Sequence, residues 1–308
     1  MKQIILSIAF LLSVGFCTQA QIKRQSYIYA VKDSNTLWLD FYDIEGDTLT
    51  KKPCVLFVFG GAFVGGSRHD TNYHHYFTTL AEQGIKVVSI SYRLGLKGVT
   101  NLSVLHTAPL KKAIDMAVDD VFDATTWLLG RSDSLHVDPK KIILSGSSSG
   151  AITVLQAELW NCNRIKNMLP QGFHYAGVIA FSGAIFSYEG KPAYKTAPAP
   201  TLFFHGTADK IVPNKSIRLF NKGLYGSSSL ADVYRKHGYS YYIYRAQNLG
   251  HEVSVIPMVT QVPLILDFID RFVIKQEHLQ VETMVNDPAQ KPMLTISARE
   301  LFNKLSKK

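Results

Sequence analysis

Residues Gly146-Ser147-Ser148-Ser149-Gly150 offer a serine nucleophile. A serine hydroxyl attacks an acyl carbon well only when it stands on a strained strand-to-helix turn, beside a base and at the positive end of a helix; flanking glycines leave room for that turn. Of the three serines, Ser148 has glycine both two residues before and two residues after it. The chemistry then requires a carboxylate and a histidine later in the chain. Asp209 follows His205-Gly206-Thr207-Ala208, and His251 lies within Asn248-Leu249-Gly250-His251-Glu252. In such a set Ser148 attacks, His251 takes and returns the proton, and Asp209 orients His251 and stabilises its charged form. Acyl transfer also needs hydrogen-bond donors for the oxyanion that develops. Small residues in Gly60-Gly61-Ala62-Phe63 let backbone N–H groups approach a substrate oxygen, so one donor is assigned to Gly61 or Ala62 and the other to Ser149.

These residues need elements that deliver them to one place. Apolar runs of strand length occur at 53–59, 86–92, 141–144, 175–181, 201–204 and 239–244, and helix-period segments at 109–129, 151–160 and 263–274. Runs such as Val55-Leu56-Phe57-Val58 and Ile142-Ile143-Leu144 are apolar throughout, as strands covered on both faces are. The alternation predicts an α/β fold with a mostly parallel central sheet flanked by helices. Ser148, Asp209, His251 and the Gly60-Gly61 pair each follow a strand, where open α/β sheets bind ligands. Segments 26–31 and 36–42, joined by a polar turn, predict an antiparallel hairpin at the sheet edge. Two long loops, 94–108 and 185–199, are expected to wall the pocket.

In this order and context the motifs resemble the α/β-hydrolase superfamily, and within it the serine carboxylesterases. Phe59-Gly60-Gly61-Ala62-Phe63 looks like the H-G-G-G-type oxyanion segment, and Ser91-Tyr92-Arg93-Leu94 like the D-Y-R-L segment of hormone-sensitive-lipase-like esterases. Asp119-Asp120 with Trp127, then Asp138-Pro139, resembles the run-up to the nucleophile. The resemblance covers nearly all of 26–274 and implies an α/β-hydrolase fold and a Ser-His-Asp triad with no cofactor. Phe59 stands where the motif has histidine and Ala62 where it has a third glycine, which implies poor activity on bulky tertiary-alcohol esters. With almost nothing before the first hairpin, no helical cap is expected. The likeness is therefore closer to small secreted acetyl xylan or feruloyl esterases, and it implies a small-molecule or carbohydrate-borne ester with a short, acetyl-type acyl group. A prolyl-oligopeptidase-like peptidase or amidase, and a catalytically silent ligand-binding homologue, are the alternatives.

Residues 1–20 read as a signal peptide, with Lys2, an apolar run from Ile4 to Phe16, and small residues before a cleavage site after Ala20. The expectation is a secreted or periplasmic protein; a lipoprotein acylated at Cys17 is the lesser alternative. The catalytic domain is expected over 21–275, followed by a basic C-terminal extension over 276–308. Mean hydropathy of +0.04 excludes a multi-span membrane protein. Cys54 and Cys162 are expected as buried free thiols. His69, Asp70, His74 and His75 are read as solvated side chains, and no metal is expected. The chain has 308 residues, with 33 Lys and Arg against 24 Asp and Glu, a net charge of +9. Five basic residues and one acid lie in 291–308, so much of the excess sits in the C-terminal segment and no nucleic-acid partner is implied.

Overall fold

The structure, a computed structural model, describes residues 21–46, 50–100, 103, 106–166, 168–297 and 300–301. The expected leader, Cys17 and most of the basic residues of the C-terminal extension fall outside the described residues. The expected hairpin forms from β1 (Ile22–Lys32) and β2 (Asn35–Ile44), turned by Asp33 and Ser34 in the left-handed region. Next comes β3 (Lys52–Val58), buried from Cys54 onward as its unbroken apolar run requires. Helix α1 (Thr71–Glu82), capped by Asp70, precedes β4 (Lys86–Ile90). Helix α2 (Ala108–Leu129) buries Ala113, Ile114, Ala117, Val118 and Val121, one stripe at helical spacing.

Strand β5 (Val137–Ser147) runs through the nucleophile motif into α3 (Ser149–Asn163), which is buried on every side through Cys162. Then follow β6 (Gly177–Phe181), β7 (Ala184–Ser187), β8 (Thr201–Gly206), β9 (Ser216–Leu219), β10 (Lys222–Gly226) and α4 (Ser227–His237). Strand β11 (Tyr241–Ala246) leads to two short helices, α5 (Pro257–Thr260) and α6 (Val262–Phe268). A π-helical turn, Ile269–Ile274, then leads to β12 (Gln280–Val285). Among the described residues nine strands form the central sheet, in the order β1-β2-β4-β3-β5-β6-β8-β11-β12. From β4 to β12 all neighbours are parallel, and β2 meets β4 antiparallel.

Three features differ from expectation. The segment after 275, read as an appendage, supplies β12 at the sheet edge, pairing with β11 from Tyr241 and Gln280 to Ala246 and Val285. The polar, unpatterned residues around it, together with the exposed Gln280 and Glu282, made it read as a tail. A second sheet, β7-β10-β9, forms at the carboxyl end of β6. The 185–199 loop is only partly beside the site: a parallel connection must return to the amino end of the next strand. Its Ala197 and Pro198 therefore line a cavity of about 560 Å³ with Phe173, Tyr239 and Phe272, at the end of the sheet opposite Ser148. Cys54 and Cys162 are free and buried.

Candidate active site

Ser148 sits between β5 and α3 with φ 52° and ψ −116°, a region costly for a side chain bearing a Cβ. The surroundings hold it there. A Cβ on Gly146 would lie 2.5 Å from the backbone of Gly150, and one on Gly150 would lie 2.0 Å from the Val58 carbonyl. Both glycines are thus required by the close passage of three backbone segments, which is the spacing the sequence shows. The Ser148 N–H donates to the Phe181 carbonyl at 2.9 Å, fastening the turn to β6.

The histidine arrives from the adjoining loop. Strands β8 and β11 run side by side to Gly206 and Ala246, and their loops are stitched together: Thr207 N–H donates to Ala246 O at 3.0 Å, Ala208 N–H to Leu249 O at 2.9 Å, and Asn248 N–H to Thr207 Oγ1 at 2.8 Å. Gly206 lets the backbones meet, since a Cβ there would lie 2.3 Å from Gly250 O. The result sets Ser148 Oγ 2.7 Å from His251 Nε2 and His251 Nδ1 2.8 Å from Asp209 Oδ2. For Ser148 to donate its proton, Nε2 must be the acceptor, so Nδ1 carries the imidazole hydrogen and gives it to Asp209.

Asp209 is held from every side. Its Oδ1 accepts the Ile211 and Val212 N–H groups at 2.8 and 3.0 Å, and Oδ2 also faces His205 Nε2 at 3.5 Å. Burial raises the carboxyl's pKa, but hydrogen bonds from His205 and His251, with their charges, outweigh it and hold the group well below the usual carboxylate range. His205 in turn bonds Ser227 Oγ at 2.7 Å and Val212 O at 3.1 Å, so it braces the acid loop.

At the end of β3 the backbone turns through Gly61, Ala62 and Phe63, all at positive φ. The Val64 and Gly65 N–H groups both close onto the Gly61 carbonyl. Among the described residues the N–H groups of Gly61 and Ala62 have no acceptor. The Ser149 N–H opens α3, where the helix provides no acceptor either and its dipole favours negative charge.

Comparison with known proteins bears on this geometry. The BD-FAE family model matches residues 39–185. Lipase 2 of Moraxella sp. (strain TA144) is 35% identical over 103 residues, which cover 33% of this chain and 20% of the lipase. Acetylcholinesterase of Gallus gallus is 31% identical over 118 residues, 38% of this chain and 15% of that enzyme. The matched region is therefore a small part of these relatives' length. A thermophilic esterase from Thermogutta terrifontis, Est2, superposes with a TM-score of 0.58 over 85% of this chain and 94% of its own, at 18% identity. The chain has the α/β-hydrolase fold.

Within this fold, two tyrosines fix the turn that carries Gly61. The Gly60 N–H donates to Tyr73 Oη at 3.1 Å, and Tyr92 Oη donates to Phe59 O at 3.1 Å. Tyr73 lies on α1, a helix not among the segments the sequence predicts. The spacing of Tyr73, Tyr76, Phe77 and Leu80, all buried, was the available signal. His74 and His75 are exposed, and among the described residues no group of three or more His, Cys, Asp or Glu side chains is arranged to hold a metal ion. Arg93 ties Asp120 and Asp33 together at 2.8 and 2.6 Å rather than facing Ser148. The C-terminal segment also reaches the site: Glu252 accepts the Gly250 N–H at 2.7 Å and the Leu294 N–H at 3.2 Å, so residues beyond β12 buttress the histidine loop.

Tyr73→Phe is expected to leave the Gly60 N–H buried without an acceptor, and to lower stability by about 1–3 kcal/mol in denaturant unfolding. An unchanged midpoint would mean that water replaces the phenol.

Proposed function

We propose that this chain is a serine esterase acting outside the cytoplasm on short-chain, acetyl-type carboxylic esters. The observation that carries the proposal is the continuous hydrogen-bonded line from Ser148 Oγ through His251 to Asp209, at 2.7 and 2.8 Å, on a turn held in a strained conformation. Ser148 attacks the ester carbonyl while its proton passes to His251 Nε2. The tetrahedral oxyanion is met by the N–H of Ser149 and that of Gly61 or Ala62. Collapse releases the alcohol with the proton from His251 and leaves acyl-Ser148. Water then attacks the acyl group, again giving its proton to His251, and the carboxylic acid departs as Ser148 is restored.

Asp209, kept ionised, stabilises the imidazolium in both halves. Relatives named as lipase and esterase support ester hydrolysis, and the apolar leader at 1–20 supports export. The preference for acetyl over longer chains rests on the tight turn of Gly61 to Phe63, where a Cβ on Gly61 would lie 2.1 Å from the Gly65 carbonyl oxygen.

Incubation with a fluorophosphonate and mapping of the adduct tests nucleophile and activation together. Labelling at Ser148, with acetyl esters turned over faster than octanoyl esters and aminoacyl amides, is the expected outcome. An adduct on another serine, or faster cleavage of the amide, would overturn the proposal.

A further inference from the structure

The hairpin of β9 and β10 stands out from the rest of the surface. All four residues of β9 are exposed, and at the turn Ile217, Leu219 and Phe220 are 63%, 40% and 90% exposed. Lys222 pairs with Leu219, so Phe220 and Asn221 make a two-residue turn. Phe220 has φ 53°, where glycine or asparagine is the stable choice and a bulky ring is a strained one. An aromatic kept at a left-handed turn position, wholly in solvent, costs stability and adds nothing to the core. Such an outlier points to a role outside the fold.

The charge around the tip names the partner. Lys215, Arg218 and Lys222 fall within the eight residues 215–222, which contain no acid. Among the described residues none of the three has a carboxylate within 4.0 Å, and Lys222 lies over the Tyr188 ring at 5.1 Å. An apolar tip on a hairpin with Arg218 and Lys222 beside the turn and Lys215 at the root fits an interface that is apolar within and anionic at its surface. A second copy of this hairpin would bring three cations against three. The hairpin is also rooted beside the site: β7, its partner in the small sheet, leaves the carboxyl end of β6, and Gly226 of β10 packs against Pro213, four residues beyond Asp209.

We infer that the β9–β10 hairpin docks the protein peripherally on an anionic phospholipid surface. Phe220 and Ile217 enter the acyl boundary, Lys215, Arg218 and Lys222 meet the headgroups, and the Ser148 end of the sheet turns toward the lipid. Docking does not depend on ester hydrolysis, and no helix among the described residues is long and apolar enough to cross a membrane.

The test is cosedimentation of the full chain with phosphatidylglycerol–phosphatidylcholine vesicles and with pure phosphatidylcholine vesicles. A parallel set with Ser148→Ala keeps docking separate from turnover. Binding is expected only to the anionic vesicles, and is expected to fall as salt shortens the Debye length. Phe220→Gly is expected to weaken it by at least about tenfold while melting at or above the native midpoint, because it removes the ring and relieves the left-handed φ. Lys215→Glu with Arg218→Glu is expected to abolish binding. Neutralising Lys304, Lys307 and Lys308 instead is expected to leave it intact. Absence of vesicle binding, binding lost only in the C-terminal variant, or native binding by Phe220→Gly would each overturn the inference. So would a dimer that dissociates in Phe220→Gly without any lipid dependence.

Discussion

Ser148→Ala is expected to reduce hydrolysis of a small acetyl ester by at least about 10⁴-fold, with kcat carrying the loss and the thermal midpoint close to native. Among the described residues its hydroxyl makes one hydrogen bond, the 2.7 Å contact with His251, so removing Oγ deletes the attacking atom and little else. The backbone bonds that hold the turn, Ser148 N–H to Phe181 O and Ile152 N–H to Ser148 O, survive the substitution. Steady-state kinetics with a melting curve on the same preparation checks both halves of the claim. Activity equal to native would sink the acyl-serine mechanism.

Ser147→Ala is the internal control. Ser147 Oγ donates to the Ser254 carbonyl at 2.9 Å, linking the nucleophile turn to the stretch after His251. Its loss costs this bond and the contact with the Tyr73 hydroxyl, about 1–3 kcal/mol, and a far smaller drop in rate. A greater loss at Ser147 than at Ser148 would identify the wrong nucleophile.

The parts of this site legible in the sequence are those where spacing and backbone geometry coincide. Gly146 and Gly150 must lack a Cβ because backbone passes within 2.5 Å of where it would be, and that constraint writes itself as a motif. Asp209 and His251 follow the strands β8 and β11, whose apolar runs betray the sheet. Bracing contacts leave no such trace. Tyr73 reaches Gly60 from a helix 13 residues away, and a tyrosine at helical spacing looks the same whether its hydroxyl serves a turn or only fills the core. The strand β12 was illegible for another reason: an edge strand with one face in solvent carries polar residues that read as a tail. The β9 hairpin, exposed along its whole first strand, lacks the alternation of a half-buried strand, since neither face of β9 packs on a core.

Asp209→Asn separates orientation from charge. An asparagine of the same shape can still accept a hydrogen bond from His251 Nδ1–H, but its amide can equally present N–H to that nitrogen and favour the wrong tautomer; the imidazolium also loses its counter-charge. The expected loss in kcat is roughly 10³–10⁴-fold, with KM little changed. A loss below about tenfold would mean that another group orients His251.

Stability supplies a second readout. The folded protein holds the Asp209 carboxyl below its unfolded value, so the native chain gains stability from it above the ordinary carboxylate range and loses that gain as pH falls through the folded value. The native chain should therefore melt above Asp209→Asn at neutral pH, and the two should converge as the solution is made strongly acidic. The same carboxylate stays ionised wherever the protein is folded at mildly acidic pH. Any acid-side loss of activity at mildly acidic pH therefore does not come from protonation of Asp209. If melting of the two proteins instead diverges on acidification, the carboxylate is not held low by its histidines, and the account of how Asp209 supports His251 fails with it.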